Sequence, residues 1–219
     1  MINLKIPVGI SDFEKIRKNQ YYFVDKSGLI EELLNTESNE VTLITRPRRF
    51  GKTLGMSMLA SFFDIRRDSS ELFRGLKISQ KEELCQKWMN QYPVLFVTFK
   101  DVDGLDFQSA KEMLRIQIAD RCNEYLYLLS SEKVNENDKA IFRQLADVVK
   151  GDVSDAMLKT GIALIMRMLQ DYYEKPVILL LDEYDVPLAK ASAHGYYTEM
   201  LEVMRAMIST ALKDNSSLK

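Results

Sequence analysis

Two short polar runs in this chain have the residue types needed for phosphoryl chemistry. Gly51-Lys52-Thr53 stands between a β-branched run, residues 41–45, and an apolar stripe at helical spacing, Leu54, Met58 and Phe62. A glycine at such a junction lets the backbone approach an anion. The first N–H groups of the helix then point at it, with the helix dipole behind them. Lys52 has the reach for β- and γ-phosphates, and the Thr53 hydroxyl suits Mg²⁺. The second run, Asp182-Glu183, directly follows the aliphatic segment 177–181. An aspartate at a strand end can hold Mg²⁺ through water, and the adjacent glutamate can polarise an attacking water.

Each run alone also reads as something ordinary, a basic turn before a helix or a core strand ending in solvated acids. Together, in this order and each at a strand's carboxyl end, they point to a nucleotide site. Its expected parts are Lys52 and Glu183 for catalysis, Arg48, Arg49, Phe50, Gly51, Lys52, Thr53 and Leu54 around the nucleotide, and Thr53 and Asp182 on the metal. ATP and Mg²⁺ are the expected cofactors. The full pattern G-x-x-x-x-G-K-[ST] is not met, because Arg46 stands at the first glycine position and Pro47, which lacks an N–H, follows it. Arg48 and Arg49 suit bidentate phosphate contact, nucleic acid or local ion pairs, and the sequence leaves these open. Tyr184 reads as a packing residue, and Asp185 as a turn residue or a partner of the metal.

These residues need strands and helices to place them. Ser11-Asp12-Phe13-Glu14 has capping-box spacing and predicts a short helix. Tyr21–Val24 reads as a strand, and Ser27 as the N-cap of a helix carrying Leu29, Ile30, Leu33 and Leu34. Buried strands are expected at 41–45, 94–99 and 177–181. Helices are expected from Lys52, over about 79–90, 107–129, 138–149, 154–173 and 196–212. Continuous apolar strands alternating with helices mean a mostly parallel sheet covered on both faces, with ligands at the strands' carboxyl ends.

Composition narrows the function. With 46% hydrophobic and 28% charged residues the 219-residue chain is globular rather than disordered. A net charge of −2 argues against coating nucleic acid by bulk charge. No apolar run approaches a membrane span, and the first residues show no signal-peptide pattern. Cys85 and Cys122 are far apart and outside any CxxC spacing, which excludes a disulfide framework and a cysteine zinc site and suits a reducing cytoplasm. The one histidine, His194, lies in small-residue sequence and reads as a loop residue rather than a triad member. No Asp-x-Lys or Glu-x-Lys occurs, so a PD-(D/E)XK nuclease site is absent from these residues.

The run Thr45-Arg46-Pro47-Arg48-Arg49-Phe50-Gly51-Lys52-Thr53, with Leu181-Asp182-Glu183-Tyr184-Asp185, resembles the bacterial AAA-ATPase-like family. Pro7–Phe13, Tyr22-Phe23-Val24-Asp25-Lys26-Ser27 and Leu72–Ile78 extend the resemblance over the whole chain. In that family the missing first glycine is the normal form. Val186 departs from the lysine that relatives often carry. The resemblance implies an α/β, three-layer P-loop NTPase of the ASCE/AAA-like kind. It also implies a lead-in over 1–40 and an ATPase core over 41–219. Relatives continue into a sensor strand and often a PD-(D/E)XK nuclease-like domain. The chain is therefore expected to be a fragment truncated before the sensor strand, with a gap or rearranged edge between strands 41–45 and 177–181. The implied function is ATP binding and, in the full-length parent, hydrolysis that serves as switch or motor for further domains. Two alternatives stay open: a non-catalytic nucleotide-dependent interaction module, and a nucleic-acid-binding module using the Arg46–Arg49 loop. The expected partner is a nucleotide, with nucleic acid reached through the parent, no membrane, and the oligomeric state unassigned.

Overall fold

The computed structural model describes residues 5–35, 41–45, 50–149, 153–213 and 215–219. The chain divides into two compact units, Met1–Val94 and Leu95–Lys219. The expected boundary after residue 40 falls against residues 36–40, which lie outside the described set.

The first unit is helical. Helix α1 (Phe13–Lys18) is capped by Asp12, whose carboxylate accepts the Lys15 N–H at 2.9 Å. The cap is Asp12 rather than the expected Ser11. Helices α2 (Gly28–Leu34), α3 (Lys52–Phe63), α4 (Ser70–Phe73) and α5 (Glu82–Trp88) follow, with one 3-10 turn over Lys77–Gln80. A small aromatic core joins them. Phe73 packs against Phe13 at 4.9 Å and Phe62 at 5.3 Å between ring centroids, and Phe23 meets Phe13 edge-on at 5.4 Å. Met58 and Phe62 are buried as the helical stripe requires. The Ser57 hydroxyl accepts the Phe13 N–H at 3.0 Å and ties α1 to α3.

Two expected strands of this unit are not seen among the described residues. There, residues 41–45 enter no strand or bridge, and Val41 and Leu43 are 55% and 64% exposed. Tyr21–Val24 is extended but lies in no ladder, sharing one bond, Tyr22 N–H to Lys5 O at 2.8 Å. β-Branched composition favours extended backbone, yet a strand is held by partners and a buried face, and 41–45 shows neither.

The second unit carries the sheet. Strands β1 (Val94–Thr98) and β2 (Ile178–Asp182) pair in parallel, so the sheet among the described residues is two strands wide instead of the three expected. Their crossover consists of α6 (Phe107–Glu124), α7 (Glu136–Ala146) and α8 (Asp155–Tyr173); α9 (Val186–His194) and α10 (Tyr197–Leu212) follow β2. The three crossover helices start at side-chain caps. Asp106 accepts from Ser109 N–H at 2.8 Å, Asn135 from Asn137 N–H at 2.8 Å, and Ser154 from Met157 N–H at 3.3 Å. Their apolar faces bury Leu114, Ile118, Ile162, Ile165, Met204 and Met207 around β1. Arg167 clasps Asp138 through two bonds of 2.6 and 2.7 Å and pins α8 to α7.

Phe99 N–H donates to Asp182 O at 3.0 Å, which places the carboxyl ends of the two strands side by side. Val177 lies one residue out of phase with that edge. Its N–H donates to Ser217 O at 2.7 Å and its carbonyl accepts from Lys219 N–H at 2.9 Å, forming a parallel bridge to Leu218. Residues 217–219 thus begin to pair along the edge of β2 opposite β1. Cys122 is buried, which pushes its thiol up to about 12; Cys85 is half-buried. Among the described residues no helix is long and apolar enough to cross a membrane.

Candidate functional site

The first unit holds the glycine-lysine-threonine run at a helix start. Gly51 is the N-cap of α3 with φ +74° and ψ 30°, a left-handed conformation that side chains with a Cβ adopt only at a cost. Its carbonyl accepts from Gly55 N–H at 2.9 Å, so the helix is formed from its first turn. Its N-cap, Gly51, has no side chain with which to take the opening N–H groups of α3, unlike Asp106, Asn135 and Ser154 at α6, α7 and α8. Lys52, Thr53 and Leu54 are half-buried, and Phe50 is 59% exposed. Arg48 and Arg49, expected around the nucleotide, lie outside the described residues, as do Arg46 and Pro47.

Lys26, which no local sequence pattern marks, reaches this corner. Its ammonium donates to the Phe50 carbonyl at 3.3 Å, and a Cβ placed on Gly51 would lie 3.7 Å from it. The residues beside Lys26 are anchored. Asp25 accepts the N–H groups of Ser27 and Lys77, each at 2.8 Å, while the fully buried Ser27 hydroxyl accepts from Ile78 N–H at 3.1 Å. Ser27 precedes α2 as expected, but its side chain serves this cross-link and not the helix cap. Burial alone would raise the Asp25 carboxyl; the bonds from Ser27 and Lys77 outweigh it and hold it below the ordinary carboxylate range.

The second unit holds the acidic pair at the end of β2. Asp182 is 1% exposed. Its Oδ1 accepts the Glu183 N–H at 3.1 Å, and its carbonyl belongs to the β1–β2 ladder. Glu183 has φ +54°, an uncommon conformation for a residue with a side chain. The chain turns there, Val186 N–H closes onto Glu183 O at 3.1 Å, and Pro187 sits in the first turn of α9. Such strain, roughly 1–3 kcal/mol, persists where surrounding structure over-determines it and gathers at functional sites. Tyr184, expected to pack, is exposed instead, because the turn throws residue 184 outward; Asp185 is exposed and precedes α9.

The loop after β1 is fastened beside this strand end. Lys190 of α9 donates to Asp103 at 2.8 Å, which holds that exposed carboxyl below its ordinary range. Tyr196 O–H donates to Gly104 O at 2.8 Å, and His194 stacks parallel to the Tyr196 ring at 6.4 Å. Gly104 is needed for space: a Cβ there would meet Ala110 N at 2.4 Å. Neither this clasp nor Lys26 was signalled by local sequence, since their partners lie 87 and 24 residues away.

The donor chemistry fits a nucleotide with Mg²⁺. Backbone N–H groups at an uncapped helix start suit phosphate, and hydroxyl and carboxylate oxygens such as those of Thr53 and Asp182 are the hard ligands Mg²⁺ takes alongside substrate phosphates. Among the described residues no group of three or more His, Cys, Asp or Glu side chains is placed to hold a metal ion alone.

The sequence profile of the AAA-ATPase-like family, described as "Predicted AAA-ATPase", matches residues 7–219. An uncharacterized protein in the vnfD 5′ region of Azotobacter chroococcum mcd 1 is 38% identical over 194 residues, covering 86% of this chain and 30% of that protein. The chain thus spans less than a third of the length of this curated relative. No solved structure matches.

Proposed function

Because the chain belongs to the AAA-ATPase-like family, we propose that it is a P-loop ATPase module that binds ATP with Mg²⁺ and contributes the residues that hydrolyse it. The observation that carries the reading is the start of α3: a left-handed Gly51, no side-chain cap, and Lys52-Thr53 as the first helical residues. The N–H groups of this turn and the Lys52 ammonium bind the β- and γ-phosphates. Thr53 in the first unit and Asp182 in the second carry the oxygen donors that Mg²⁺ would take, and the ion would supply neutralisation of charge on the phosphates. Glu183 accepts a proton from the water that attacks the terminal phosphate, and its strained backbone, fixed by the turn onto α9, sets its direction. In the longer protein the cycle of binding and hydrolysis would drive or switch further domains.

Calorimetric titration with ATP, with and without Mg²⁺, tests this. Saturable binding strengthened by Mg²⁺ and lost in Lys52→Ala supports the reading; equal heats from the wild type and Lys52→Ala sink it.

A further inference from the structure

The anchored corner at Lys26 has a purpose that the phosphate-binding reading does not include. Lys26 is exposed, yet both its neighbours are tied down, Asp25 by two backbone N–H groups and Ser27 by complete burial and a bond from Ile78. A lysine on a free loop would sample many rotamers. This one stems from fixed backbone, and its ammonium rests on the Phe50 carbonyl at 3.3 Å. The peptide that carries this carbonyl also carries the Gly51 N–H, and the described chain has no cis bond. In a planar trans peptide the carbonyl and the N–H point in opposite directions. Holding Phe50 O therefore fixes where Gly51 N–H points. Gly51 itself is left-handed and lacks a Cβ, so its peptide would otherwise turn easily. A cation on the carbonyl also polarises the peptide and makes its N–H a stronger donor.

We propose that Lys26 is a positioning residue for the phosphate-binding loop: it locks the Phe50–Gly51 peptide so that Gly51 N–H is presented to the phosphates of the nucleotide. The inference rests on the nucleotide reading above. It assigns Lys26 an action through the backbone, with no direct contact to ATP.

The test uses the whole chain labelled with ¹⁵N at its nine glycines, with the Gly51 amide signal identified by its loss in Gly51→Ala. Mg·ATP is titrated into wild type, Lys26→Met, Lys26→Arg and Lys52→Ala. The expected result is a Gly51 amide shift in the wild type that is lost in Lys26→Met, with ATP affinity about five- to tenfold weaker, the effect of losing one ordinary hydrogen bond. Lys26→Arg restores both, and the nucleotide-free melting temperature stays unchanged in each Lys26 variant. A wild-type Gly51 shift and affinity in Lys26→Met overturn the proposal while leaving the phosphate loop standing. Loss of affinity together with a lower melting temperature and no rescue by arginine makes Lys26 merely structural and overturns it as well. No ATP binding in either wild type or Lys52→Ala removes the nucleotide reading itself, and Lys26 with it.

Discussion

The two candidate motifs, one in each unit, are made of different materials. In the first unit the groups proposed to bind an anion are main-chain N–H groups at a helix start whose N-cap is a glycine, beside an exposed Phe50 and near a lysine carried by another segment. In the second unit the proposed working groups are carboxylates at a strand end, one almost wholly buried and the next held in a left-handed turn. The difference follows from charge. A phosphate is met by many small dipoles and needs an approach, so glycine and open backbone serve it. A carboxylate that orients a cation or a water must be fixed, and β2, the Phe99 bond and the turn to α9 fix it.

The comparison is broken most severely at Glu183. Glu183→Gln should leave ATP affinity unchanged and lower turnover at least about 100-fold, the usual weight of a general base. Phosphate release measured in the longest protein that hydrolyses ATP checks this, and an unchanged rate moves the role elsewhere. Lys52→Ala strikes the motif of the first unit. It should weaken ATP binding by about 1.5–3 kcal/mol, one charge-assisted bond. Calorimetry and thermal unfolding together separate affinity from stability.

Two smaller effects sharpen the contrast through the backbone. Gly104→Ala places a Cβ 2.4 Å from Ala110 N, and backbone cannot yield as a side chain does. A loss of about 2–3 kcal/mol in the stability of the second unit is expected, read from denaturant midpoints. An unaltered midpoint would mean that the clasp of Asp103, Gly104, Lys190 and Tyr196 is loose. Glu183→Gly relieves the left-handed strain, so stability should rise by about 1 kcal/mol while hydrolysis is lost. A drop in stability would show that the Glu183 side chain contributes to packing more than its backbone costs.

Much of the helical fold was legible in the sequence. The expected helix over 154–173 is observed as α8, Asp155–Tyr173, because a serine cap and a 3.6-residue apolar stripe are local signals. The start of α3 at Lys52 was legible from a glycine placed just before an apolar helical stripe, and the acidic pair from its place at the end of an aliphatic run. Short elements escaped: α4 has four residues, and α9 lies in alanine-rich sequence directly after the acidic turn.

Sequence by itself determined which residues have the chemistry, namely Gly51, Lys52 and Thr53 at a helix start and Asp182 and Glu183 at a strand end. Those are properties of neighbours in the chain. Tertiary structure alone decided the rest. Residues 41–45 have strand composition but no ladder among the described residues, since a strand depends on backbone partners that composition does not name. Glu183 takes a positive φ because the chain must pass from β2 to α9 at that residue, and nothing in its side chain favours it. Lys26 reaches Phe50 only because Asp25 and Ser27 are fastened to Lys77 and Ile78, some fifty residues on, where no local pattern records the contact.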